Sequence, residues 1–84
     1  MQPYIVEYEY ATPLTDELHD QLAKRIDPCL AQYGVEWRVS FLAVDRMRMF
    51  CHFEAESAEQ IRNALRSAGA GFSRVWPALR YAAR

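Results

Sequence analysis

The run YIVEYEY, Tyr4 to Tyr10, constrains this chain more than any other stretch. Tyr4, Val6, Tyr8 and Tyr10 fall on one side, and Ile5, Glu7 and Glu9 on the other. A period of two in strand-favouring residues predicts a strand over residues 3–10, with one face covered. The segment ATPLTDEL begins the cover. Thr12 can cap a helix with Pro13 in first position, or Thr15 can cap it with Asp16 and Glu17 near the positive dipole end. Leu18, Leu22, Ile26, Cys29 and Tyr33 follow at helical spacing as one apolar stripe. Pro28 lacks a backbone donor and crowds the preceding turn, which predicts a kink or break near Asp27; Gly34 is the final stop.

Alternation returns in VEWRVSFLA, with Val35, Trp37, Val39, Phe41 and Ala43 opposed to Glu36, Arg38, Ser40 and Leu42. VDRM is a short connection and MRMFCHFEA a third strand, so the two runs form a hairpin. Ser57 followed by Gln60 matches a capping box. Ile61, Leu65 and Ala68 make the second helix's stripe, which Gly69 ends. The last strand lies in FSRVWPALRY, where Pro77 argues for a sheet edge. Strand, helix, strand, strand, helix, strand is the order of the ferredoxin-like split βαβ fold, class α+β. That fold is a four-stranded antiparallel sheet with two helices on one face, its first and third strands central. One such domain accounts for residues 1–84.

Composition narrows the function classes. A formal net charge of −1, with both signs interspersed, argues against nucleic acid. No apolar stretch approaches the ~18 residues of a membrane span. MQPYIVEYEY carries neither the basic region nor the apolar run of a secretory signal, so a cytoplasmic location is expected. Two cysteines fit reduced thiols better than a disulfide framework.

The stretch MFCHFEAES sets a cysteine beside a histidine, with a glutamate two places on. Neighbours in a strand point to opposite sides, so one metal ion cannot take both Cys51 and His52. Cys51 joins Met47, Met49, Phe53 and Ala55 under the helices, as a small buried hydrophobe; Cys29, on the first helix's stripe, is read the same way. His52 joins Arg48, Phe50 and Glu54 on the helix-free face, with Glu7 and Glu9 from the neighbouring strand and Arg38 and Ser40 from the hairpin partner. An imidazole beside carboxylates can ligate a divalent transition metal or act as a general base. The plainer reading is a histidine in an ion-paired network or a dimer interface. His19 is expected to face solvent, and the tyrosine series to point into the core. Ile5, Leu42, Phe50 and Trp76 are expected on the helix-free face, and an apolar patch of that kind predicts a homodimer packed through it.

The runs YIVEY, VEWRVS and RMFCHFEAESAEQIRNALRSAG resemble a family of small bacterial proteins known as a domain of unknown function, which includes a nickel-binding member with a dimeric ferredoxin-like fold. The resemblance implies ferredoxin-like subunits, dimerisation and, in at least one member, surface nickel. Members often carry a histidine where this chain has Ala64, and a glycine in the hairpin turn where it has Arg46.

These observations support a small dimeric binding protein, with His52, Glu7 and Glu54 as donors for nickel or another divalent transition metal. No catalytic residue is assigned. The alternative is a cofactor-free dimeric enzyme of the monooxygenase or isomerase kind, acting on a small apolar substrate with His52 as acid or base. A third reading is an interaction module without a small ligand.

Overall fold

The structure is a computed structural model and describes residues 1–83; the domain drawn over 1–84 extends one residue, Arg84, beyond them. Its elements run β1 (Gln2–Glu9), α1 (Asp16–Tyr33), β2 (Glu36–Leu42), β3 (Arg48–Ala55), α2 (Ala58–Ser67) and β4 (Arg74–Pro77). The strands form one antiparallel sheet in the order β2-β3-β1-β4. This is the ferredoxin-like α+β arrangement, with β1 and β3 central and β4 at an edge. Pro77 closes β4 after four residues, a shorter strand than FSRVWPALRY suggests.

Alternation holds where it counts for the core. Tyr4, Val6 and Tyr8 from β1 and Met49, Cys51, Phe53 and Ala55 from β3 are buried beneath the helices, with Ile26, Leu30, Ile61, Ala64 and Leu65 above them. Leu30 joins this core from outside the expected stripe, whereas Leu18 on the stripe is half-exposed. Thr15, not Thr12, caps α1, its hydroxyl accepting from the Leu18 amide at 3.1 Å. Gly34, at φ 69°, ends α1 in the left-handed region, where glycine carries no Cβ penalty, and Val35 N donates back to Leu30 O. The Ser57–Gln60 capping box forms at the start of α2 as expected.

Two expectations need correction. Of the kink or break expected near Asp27, the break does not occur: α1 runs through Pro28 as one helix. Pro28 is exposed, as is Lys24 one turn earlier, so the carbonyl that loses its donor can turn to water. The second correction is in β2, where pairing slips by one residue between Trp37 and Val39. Trp37 pairs with Phe53, Val39 with His52 and Ser40 with Cys51, leaving Arg38 as the extra residue of a bulge. Every side chain after the bulge changes face. Val39 and Phe41 therefore lie on the helix-free side, while Ser40 and Leu42 lie under the helices.

Candidate functional site

The helix-free face is assembled by register. On β3, Phe50, His52 and Glu54 face outward, between Ile5 and Glu7 of β1 and Val39 and Phe41 of β2. Trp76 of edge strand β4 sits opposite Ile5. The bulge makes this face more apolar than simple alternation predicts. Phe41 is 70% exposed, Val39 and Phe50 42% each, and Trp76 38%. Leu42, expected here, instead packs partly buried against the core.

The polar groups at its rim are already engaged, His52 Nε2 excepted. Trp76 Nε1 donates to Glu7 Oε2 at 2.6 Å, and Arg74 Nε lies 4.0 Å from the other Glu7 oxygen. His52 Nε2 is 3.2 Å from Glu54 Oε2, and Arg38 Nε approaches the same oxygen at 3.8 Å. Arg38 also pairs with Glu36 at 2.8 Å. The His52 contact is misaligned, and Nε2 is buried without a true hydrogen bond.

The structure thus brings His52 and Glu54 together but holds Glu7 apart. Ile5 stands opposite His52, and Glu7 pairs with Phe50 one diagonal step away. Among the described residues, no three His, Cys, Asp or Glu side chains form a group able to hold a metal ion. Within one chain the residues do not fit a metal centre: two donors are adjacent, and a guanidinium already shares one of them. Ala64 is fully buried on α2, across the sheet from His52, so that position faces a different side of the molecule.

Under the helices the bulge creates a contact that sequence reasoning misses. Trp37 Nε1 donates to Ser40 Oγ at 2.8 Å, and Ser40 Oγ donates to Cys51 Sγ at 2.9 Å. Regular alternation would put Trp37 and Ser40 on opposite faces. Leu42, an apolar residue within the polar set, is the one sequence hint of the slip. Burial pushes the Cys51 thiol up to about 11 despite the lowering effect of the Ser40 hydrogen bond, so it is protonated and unreactive at neutral pH. His19 is half-buried rather than open to solvent, its ring edge-on to Trp37 with centroids 6.1 Å apart.

A cleft of about 300 Å³ reaches His52 between Ile5, Val39 and Phe41 of the face and Leu79 and Tyr81 of the segment after β4. That segment is tied to β1 by Ala78 N donating to Pro3 O at 2.9 Å and by Gln2 Nε2 donating to Ala78 O at 3.0 Å. Among the described residues, no helix is long and apolar enough to cross a membrane.

Comparison with known proteins agrees with this architecture. No curated protein matches the chain. The crystal structure of SCO4226 from Streptomyces coelicolor A3(2) superposes with a TM-score of 0.85 over 95% of this chain and 99% of that one, at 14% sequence identity. At that identity the likeness speaks for the fold. The family model for nickel responsive proteins like SCO4226 matches residues 4–77, which takes in all but the first two residues of β1 and every later element. The chain belongs to the SCO4226-like family of nickel responsive proteins.

Proposed function

We propose that this protein is a homodimeric binding module whose two copies meet through the helix-free sheet face. The observation that carries the reading is the apolar group of Phe41, Val39, Phe50 and Trp76, exposed together on the side no helix covers. Contiguous apolar surface with a charged rim is characteristic of interaction sites, and Glu7, Arg74, Arg38 and Glu54 supply that rim. A two-fold arrangement lets the same patch serve both partners. Phe50 lies on a central strand, so Phe50→Glu places a like-charge pair near the axis. The expected result is a monomeric, folded variant by sedimentation; a variant that stays dimeric places the interface elsewhere.

The family's nickel responsiveness gives the module a candidate ligand. His52 and Glu54 supply two donors per chain, fewer than a transition metal ordinarily takes. A second copy meeting this face would bring its own His52 and Glu54 and double the protein donors available to nickel. Calorimetric titration with nickel is expected to give heat that depends on dimer formation and is lost in His52→Ala. Equal heats from the variant and the wild type would remove His52 from the site.

A further inference from the structure

A second cleft, of about 320 Å³, lies on the opposite side of the sheet from His52. Its floor is Tyr8 and Tyr10, one wall is the Leu18–Leu22 side of α1, and the other is the Gly69–Gly71 connection after α2. The two tyrosine rings lie parallel, 3° between planes with centroids 6.1 Å apart. Both hydroxyls are buried, and neither has a hydrogen-bond partner. Buried hydroxyls are rarely left unpaired, because each forfeits its bonds to water. Two such groups beside one cleft are free to donate to an acceptor from outside the chain, whether ordered water or a ligand.

The charge at the cleft indicates what kind. Arg25 lines it, anchored by its Nε to Ala68 O at 3.2 Å, and has no carboxylate partner among the described residues. No acidic side chain lines the cleft, and Leu14, Leu18 and Leu22 give it apolar walls. We infer that this cleft binds a small apolar carboxylic acid, its carboxylate accepting from the Tyr8 and Tyr10 hydroxyls beside Arg25 and its apolar body lying against α1. Burial raises both tyrosines, Tyr10 to about 12 and Tyr8 further, so both remain protonated donors. Both hydroxyls are closed off from the cleft in this conformation, so binding requires the side chains over them to move, and Leu18, half-exposed at the cleft, is one that can change rotamer.

The test uses naphthoate and its uncharged counterpart naphthamide as probes, with calorimetry for affinity and amide chemical shifts for location. Naphthoate is expected to bind wild type saturably, to shift the Gly69, Ala70 and Gly71 amides, and to bind more tightly than naphthamide. Tyr8→Phe and Tyr10→Phe are each expected to weaken naphthoate roughly tenfold, the scale of one hydrogen bond to a charged group. Because the hydroxyls are unpartnered, both variants should melt no lower than wild type, which separates lost binding from lost fold. Arg25→Gln should abolish the preference for naphthoate over naphthamide. Absence of saturable binding by wild type at millimolar naphthoate would overturn the inference. So would unchanged affinity in both phenylalanine variants, or a melting loss in them that reveals hydroxyls already satisfied by water.

Discussion

Arg46 shows how a single residue can be strained and still useful. Its φ of 65° lies in the left-handed region, which costs an ordinary side chain about 1 kcal/mol relative to glycine. The side chain offsets this by binding the Leu14 carbonyl and Asp16, which ties the β2–β3 turn to the start of α1. Arg46→Ala keeps the strain and loses the tie, so it should destabilise by about 1–2 kcal/mol. Arg46→Gly loses the tie but relieves the strain, and should be more stable than the alanine variant by about 1 kcal/mol. Urea denaturation of the pair checks this, and equal stabilities would contradict it. Cys51 carries a pH signature. Its folded thiol, raised to about 11 from 9.0, holds its proton more tightly than the unfolded one. Stability is then unaffected by this group below pH 9 and is lost as pH rises through about 11. Denaturation at pH 8 and pH 10 should show a smaller loss in Cys51→Ala than in wild type.

At the level of elements, legibility follows from the strength of local signals. β1, β3 and α2 were readable because every second residue from Tyr4 to Tyr8 and from Met49 to Ala55 is a core side chain and Ser57 with Gln60 forms a capping box. The slip in β2 was not, since Arg38 and Val39 sit equally well in a regular strand and only pairing with β3 decides between them. The same slip explains why the candidate site was half legible: β3 places His52 and Glu54 by alternation alone, whereas Val39 and Phe41 depend on the bulge. Local propensity also misled at Pro28, where tertiary packing of Ile26 and Leu30 on either side holds the helix together. Pro28→Ala restores a backbone donor at an exposed position and should stabilise the protein by about 1–3 kcal/mol, net of greater freedom in the unfolded chain. A thermal melt checks this, and an unchanged or lower Tm would mean that α1 gains nothing from the restored bond.

For the whole molecule, two sides of one sheet do different work. The helix side holds the core and, beneath α1, the cleft at Tyr8 and Tyr10. The other side holds an apolar patch that an 84-residue chain can ill leave in water. Fully burying a large apolar side chain is worth roughly 1.5–3 kcal/mol, and Phe41, Phe50 and Trp76 each have part of that still to gain. Dimerisation through this face would realise it and bring two His52–Glu54 pairs under one shared axis. Sedimentation equilibrium of the wild-type protein across the micromolar range tests this most directly. The account predicts a species of twice the 9.8 kDa chain mass, and a monomer throughout that range would contradict it.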